Sequence, residues 1–171
     1  EQNRLNELVE KILLVSTIDE MHNDMHLKPI SIHLLIDQII ENTSNSHKLI
    51  NSVPKDLIVN GDDFYFISLF QNLLDNAQKY SPDGSEINFY LKENPIKNII
   101  CISDQGIGIS DKEKSKIFDR FYRIEDEETR NSKGTGLGLF LVNQIIKIHR
   151  GKIYCKDNSP NGAIFEIHLK K

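Results

Sequence analysis

Asn72-Leu73-Leu74-Asp75-Asn76-Ala77-Gln78-Lys79-Tyr80-Ser81 decides how this chain is read. Asn72 and Asn76 stand four apart, and Lys79 and Tyr80 lie three and four residues beyond Asn76. On a helix those four side chains line one face. Phe66, Leu69, Phe70, Leu73 and Ala77 fall on the other, so the segment is an amphipathic helix by its period. Asp62 is placed to cap its start, behind a short strand Leu57-Ile58-Val59-Asn60 closed by Gly61, and the helix runs to about Tyr80. Asparagine is a poor helix former, so a pair on one face points to a use for that face.

Three more segments follow in order: Asp104-Gln105-Gly106-Ile107-Gly108-Ile109, Phe118-Asp119-Arg120-Phe121-Tyr122-Arg123 and Gly134-Thr135-Gly136-Leu137-Gly138-Leu139. Asp104 ends a strand pattern. A carboxylate there accepts a hydrogen bond from the exocyclic amine of adenine, which guanine does not offer at that position. Gly106 and Gly108 let the backbone turn tightly beside a purine. Gly134, Gly136 and Gly138 precede an apolar helix with Leu141, Val142, Ile145, Ile146 and Ile148. Glycines ahead of a helix N-terminus offer backbone N–H groups to an anion, and the helix dipole adds to the attraction. This is a cradle for a triphosphate. A dinucleotide-fold reading fails, because no tight strand–turn leads into the loop.

Around these motifs the elements alternate irregularly. Ser31 is placed to cap a helix with Leu34, Leu35, Ile39 and Ile40 at apolar positions. Three stretches alternate with period two, through Ile87, Phe89 and Leu91, through Ile100, Ile102 and Asp104, and through Phe165, Ile167 and Leu169. Ser81-Pro82-Asp83-Gly84 and Ser159-Pro160-Asn161-Gly162 are turns between elements. Hairpin-like strand pairs mixed with helices predict an α/β (α+β) two-layer sandwich, one mixed and largely antiparallel sheet with helices on a single face. The charged stretch from about Ile109 to Lys133 is long for a connector and reads as a functional lid or as disorder.

In this order the four segments resemble the catalytic and ATP-binding domain of sensor histidine kinases, the kinases of bacterial two-component systems. The likeness runs from about Pro29 to the C-terminus. It implies three parts: residues 1–20 as the end of the dimerisation helix, 21–28 as a linker, and 29–171 as the catalytic ATP-binding domain. Leu5, Leu8, Val9, Ile12 and Val15 give the first part a helical stripe from about Gln2 to Glu20. The resemblance also implies the Bergerat-type fold shared with gyrase, the HSP90 chaperones and MutL, and ATP and Mg2+ as cofactors. Asn76 then corresponds to the metal ligand, supported by Asn72. Lys79 pairs with the phosphates, and Tyr80 packs on the base or ribose. Asp104, Gly106, Gly108 and Ile109 lie at the base, while Gly134, Thr135, Gly136, Leu137, Gly138 and Leu139 surround the phosphates. Phe118 and Phe121 anchor a lid to the sheet or to the dimerisation helices, and Arg123 reaches the terminal phosphate to offset charge during transfer. Asn76, Lys79 and Arg123 form the implied catalytic set. Two features depart from the family pattern without touching the nucleotide residues: Arg150 stands where the family often has the first of two glycines after His149, though Gly151 remains for the helix end, and the lid carries the acidic run Glu125-Asp126-Glu127-Glu128.

Position 72 separates kinases from hydrolases in the wider superfamily. The ATP-hydrolysing members carry a glutamate there to activate water, whereas an amide has no useful basicity near neutral pH. The phosphoryl group is thereby kept for another nucleophile, in this family an imidazole usually followed by an acidic residue. His22, His26, His33, His47, His149 and His168 are followed by Asn, Leu, Leu, Lys, Arg and Leu, so the acceptor is expected upstream of Glu1. The implied partners are a dimerisation and phosphoacceptor domain of the same protein, a response-regulator receiver domain and a second copy in a homodimer. A non-catalytic nucleotide-dependent interaction module stays open as an alternative. A serine kinase of the anti-sigma type is disfavoured by Asn72, where such kinases carry an acid.

Composition sets the outer limits. With 171 residues there is room for one well-buried α/β domain and an extra element. A net charge of −4 argues against a nucleic-acid surface. No apolar run approaches the ~20 residues that span a bilayer and no signal peptide is visible, so the chain reads as a fragment of something longer; the resemblance implies a cytoplasmic part of a membrane-anchored sensor. Cys101 and Cys155 sit in strand-like runs and read as two buried thiols in a reducing compartment rather than as a metal site.

Overall fold

The computed structural model describes residues 26–43, 46–124 and 134–171, together with Val9, Leu13 and Ser16. Most of the helix expected over Gln2 to Glu20, most of the 21–28 linker and the Glu125–Glu128 run lie outside the described residues. Val9 and Leu13 are helical and exposed.

Strand β1 (Lys28–Ser31) leads directly into helix α1 (Ile32–Glu41), followed by β2 (Lys48–Ser52), β3 (Ile58–Gly61) and helix α2 (Asp63–Tyr80). The hairpin β4 (Glu86–Lys92) and β5 (Lys97–Ser103) comes next, then helix α3 (Gly138–Ile148), β6 (Lys152–Asp157) and β7 (Ala163–Lys170). The main sheet has the order β2-β4-β5-β7-β6, parallel at β2–β4 and antiparallel elsewhere. β1 and β3 form a separate antiparallel ribbon with Ile30 opposite Val59. The expected mixed, largely antiparallel sheet with helices is the observed architecture.

Alternation along the strands builds the core. Ile87 and Phe89, Ile100 and Ile102, and Phe165, Ile167 and Leu169 are buried in one cluster with the apolar faces of the helices. α2 contributes Phe66, Leu69, Phe70 and Leu73, and α3 contributes Leu141, Val142 and Ile145. The Phe70 and Phe89 rings meet edge to face at 6.3 Å between centroids, fixing α2 over β4. Burying one such side chain stabilises the fold by roughly 1.5–3 kcal/mol.

The caps fall where the sequence puts them. Ser31 Oγ accepts the Leu34 N–H at 3.4 Å, and Asp62 Oδ1 accepts the Phe64 N–H at 3.1 Å. Leu34 is a correction: it is 66% exposed, because the buried stripe of α1 starts at Ile32 and continues through Leu35, Ile36 and Ile39. Two residues beyond Ile32 on a 3.6-residue helix is the opposite face. β1 and β2 are additions to the sequence reading. β5, flanked by strands on both sides, buries Ile99 and Cys101 as well as Ile100 and Ile102. Cys101 lies between the larger Tyr90 and Glu166 of its neighbours. Both cysteines are free and buried, and burial pushes the thiols up, Cys101 to about 11 and Cys155 to about 12.

One histidine ties the two site-bearing helices together. His149 at the end of α3 accepts the Asp62 N–H on Nε2 at 3.2 Å and donates from Nδ1 to the Ile145 carbonyl at 2.7 Å. Its ring lies 4.5 Å from that of Phe66, between centroids. Beyond it the helix closes with the paired bonds Gly151 N–H to Ile146 O and Arg150 N–H to Lys147 O, both 2.9 Å. Arg150 takes the left-handed conformation this closure needs, at φ 56°. Among the described residues no helix is long and apolar enough to cross a membrane.

Candidate functional site

The polar face of α2 meets the glycine loop that opens α3, and it does so at both ends of that loop. Asn72 is 7% exposed. Its Nδ2 donates to the Ser68 carbonyl at 2.7 Å, one turn back on its own helix. That leaves the amide oxygen facing Gly138, where a β-carbon would lie 3.0 Å from Asn72 Oδ1. Two turns on from Asn72, Lys79 Nζ lies 2.7 Å from the position of a β-carbon on Gly134. The same ammonium bonds the Tyr80 hydroxyl at 2.9 Å and stands 4.6 Å from the Tyr80 ring centre. Asn76 is half-buried on the turn between them.

At the start of α3 no side chain caps the helix and its first turn carries no acidic residue. The first intrahelical bond there is Leu141 N–H to Leu137 O, so the N–H groups of the opening turn point out of the helix. An uncapped N-terminus flanked by an ammonium binds an anion well. Leu137 has its side chain wholly buried, so its backbone is what it offers this loop. Leu139 packs partly buried against the core. Thr135 Oγ1 accepts the Leu137 N–H at 3.4 Å, shaping the turn into the helix.

The part of the expected lid that precedes Glu125 meets the glycine loop through its main chain. Phe121 N–H donates to the Gly136 carbonyl at 3.0 Å. Both residues sit in the left-handed region, Phe121 at φ 65° and Gly136 at φ 71°. A β-carbon on Gly136 would come within 2.7 Å of the Phe121 carbonyl carbon. The two lid aromatics have different surroundings: Phe118 packs edge to face on Phe165 of the sheet at 6.3 Å, whereas Phe121 is 57% exposed with the Arg120 guanidinium 5.0 Å from its ring centre. Ile117 is buried and pins the short helical turn of the lid. Lys114 on that turn bonds Asp111 at 2.6 Å and Asp157, at the end of β6, at 2.7 Å. Arg123 follows on the exposed side of the lid.

Asp104 is 6% exposed at the end of β5. Its Oδ1 accepts two main-chain N–H groups, from Gly106 at 2.9 Å and from Ala163 at 3.1 Å. Burial pushes this carboxyl above the usual aspartate range, opposed by those two N–H groups. Gly106 packs under the end of α2, where a β-carbon would lie 2.5 Å from the Tyr80 carbonyl oxygen. Gly108 takes φ 75°, and Ile109 is half-buried beside it. The asparagine helix, the aspartate–glycine turn and the glycine loop thus converge on one side of the fold.

Sequence reasoning placed the β6–β7 turn but missed its contact with the site. Asn158, Gly162 and Ala163 all touch Asp104, and a β-carbon on Gly162 would lie 2.0 Å from the Asp104 carbonyl oxygen. Ser159-Pro160-Asn161-Gly162 signals a turn but not its neighbour. Lys114 was equally silent, being one lysine in a charged stretch.

Comparison with known proteins fits this geometry. The family described as "Histidine kinase-, DNA gyrase B-, and HSP90-like ATPase" matches residues 61–171. The sensor protein kinase WalK of Staphylococcus aureus is 34% identical over 175 residues, covering 99% of this chain and 42% of that protein. The chain therefore spans well under half the length of this curated relative. Among solved structures, the mycobacterial sensor histidine kinase MprB superposes with a TM-score of 0.73 at 29% identity, covering 84% of this chain and 97% of that one. The catalytic domain of histidine kinase ThkA gives 0.72 at 25% identity, covering 86% and 99%. Full-length ShkA in complex with AMPPNP shares the fold at a TM-score of 0.80 and 19% identity, covering 98% of this chain and 36% of that one. The asparagine helix, the aspartate–glycine turn and the glycine loop all fall inside the matched residues, and the chain belongs to the histidine kinase-, DNA gyrase B- and HSP90-like ATPase family.

Proposed function

We propose that residues 29–171 are the ATP-binding catalytic domain of a sensor histidine kinase, with residues 1–20 the end of its dimerisation helix and 21–28 the joint. The γ-phosphoryl group of ATP goes to a histidine outside this chain and from there to a response-regulator aspartate. The whole protein, on this reading, is a homodimeric membrane-anchored sensor with this part on the cytoplasmic side. The observation that carries the proposal is the placement of Asn72 and Lys79 at the two ends of the glycine loop.

Each residue has a role that its surroundings support. Asp104 holds Oδ1 on two backbone donors, so the carboxylate is aimed and its other oxygen can take the adenine amine. Tyr80 lies beside that turn, and Gly106 and Gly108 give the base room. The opening turn of α3 and Lys79 hold the phosphates. The amide oxygen of Asn76 is a hard donor that would suit Mg2+. Magnesium, when bound, neutralises phosphate charge. Arg123 offsets charge on the transferring group from the lid side. Asn72, bonded to its own helix, supplies no base to a water, and ATP is preserved for the histidine.

The chain alone should bind ATP without labelling itself, and labelled phosphate should appear on an added dimerisation domain that carries the acceptor histidine. Acid-labile, base-stable label on the isolated chain would place an acceptor among its own six histidines and end this division of labour.

A further inference from the structure

Asp104 is held from two directions. Its carboxylate Oδ1 is fixed by Gly106 and Ala163, and its N–H pairs with the Ala163 carbonyl at 3.0 Å as the last rung between β5 and β7. The Ala163 N–H, which would complete that rung by donating to the Asp104 carbonyl, is spent on the carboxylate instead. The donor comes instead from a side chain: Asn158 Nδ2 bonds the Asp104 carbonyl oxygen at 2.7 Å. Asn158 is itself braced, its N–H on the Gly162 carbonyl at 3.0 Å and its Oδ1 accepting the Ser159 N–H at 3.0 Å. The turn also passes so close to Asp104 that only glycine fits at 162.

We infer that Asn158 is the positioning residue of the base-reading carboxylate: by bonding the Asp104 carbonyl it fixes the backbone from which the carboxylate points, and so sets the preference for a purine carrying a 6-amino group. The inference rests on the reading of Asp104 as the residue that meets the base. A rotation of the Asp104 peptide moves the free carboxylate oxygen off the line of the amine, while the phosphate half of the site, built on α2 and α3, stays as it is. Loss of Asn158 therefore costs discrimination between bases more than it costs grip on the triphosphate.

The test is calorimetric titration of the 171-residue chain with ATP and with purine riboside triphosphate, which lacks the exocyclic amine, in magnesium buffer. The wild type should prefer ATP by about tenfold or more, the worth of one hydrogen bond to a charged group. Asn158→Ala and Asn158→Asp should both bring that ratio down to about threefold or less. Asn158→Asp keeps the shape and the acceptor for Ser159, so the turn persists while the donor to Asp104 is lost. A ratio unchanged in both variants, even with both nucleotides bound more weakly, would make Asn158 a turn residue only and overturn the inference. A wild type that binds the two nucleotides equally would instead overturn the reading of Asp104, and this inference with it.

Discussion

The Lys79 ammonium occupies the space that a side chain on Gly134 would need, 2.7 Å from the position of its β-carbon. The atom in the way is the far end of a flexible side chain. Gly134→Ala should therefore fold with an unchanged thermal midpoint while driving Lys79 off the loop. ATP affinity should fall about tenfold, the range of one charge-assisted contact. Gly136→Ala is the contrast: the clash there is with the Phe121 main chain at a positive φ, so the midpoint itself should drop. Equal midpoints and equal affinities for the two variants would contradict the described packing.

Asp104→Asn should separate stability from binding. Burial raises the Asp104 pKa in the folded chain, so the ionised carboxylate opposes folding at neutral pH. Its contribution is most favourable below the unfolded value near 3.8 and declines as pH rises through the raised folded value. Asparagine keeps the oxygen that takes the Gly106 and Ala163 N–H groups and carries no charge. The nucleotide-free variant should melt above wild type at pH 7, with the gain shrinking towards pH 4. Its amide would turn a donor towards the adenine amine, and ATP binding should weaken at least tenfold. A variant that melts below wild type at pH 7 would show that the charge is not a burden.

His149 predicts the opposite pH dependence. Burial lowers its pKa, with the Ile145 carbonyl pulling the other way, and its neutral Nε2 accepts the Asp62 N–H. The stability it gives is present above the unfolded value near 6.5 and is lost as pH falls through the lower folded value. His149→Ala should cost about 2 kcal/mol at pH 8 through an orphaned N–H and a lost ring. Urea midpoints at pH 8 and pH 5 should show the gap between variant and wild type narrowing at the acidic end. A gap that widens in acid would mean the ring is held protonated.

Arg150→Gly should stabilise the chain by about 1 kcal/mol. An L-residue pays roughly that to sit in the left-handed region, and glycine does not. The closing bonds from Arg150 and Gly151 are main-chain bonds and survive the change. A denaturant midpoint no higher than wild type would mean the arginine side chain compensates for its backbone.

Asn76→Ala should leave the fold intact and remove magnesium-dependent transfer to an added acceptor domain. The side chain is half-buried on a polar face, so little apolar packing is lost with it. Full transfer by the folded variant would remove Asn76 from the metal site.

The parts of this molecule that could be read in advance are those whose signal is local. Asn72 to Tyr80 carries a helical period, Ser31 and Asp62 carry cap chemistry, and Phe165, Ile167 and Leu169 alternate, so helices and inner strands followed. β1 and β2 gave no such signal: they are four and five residues long, and β2 is half-buried without alternation. Leu34 misled because apolarity was counted without fixing the phase of the stripe. At the site, glycines and aspartate announced themselves, yet Asn158 and Lys114 act through partners 54 and 43 residues away. Such pairings are set by how β5, β6 and β7 come together, which no single stretch records.

The two thiols give the sheet a depth gauge. Cys101 is in β5, with strands on either side, and Cys155 is in β6 at the margin. A thiol that is buried and reluctant to ionise reacts with an alkylating reagent only after its strand comes away. Modification of Cys155 should report peeling of the margin, and modification of Cys101 the opening of the whole sheet. Because Asn158 follows directly on that marginal strand and bonds the Asp104 carbonyl, a nucleotide that grips Asp104 should slow the first reaction before it slows the second.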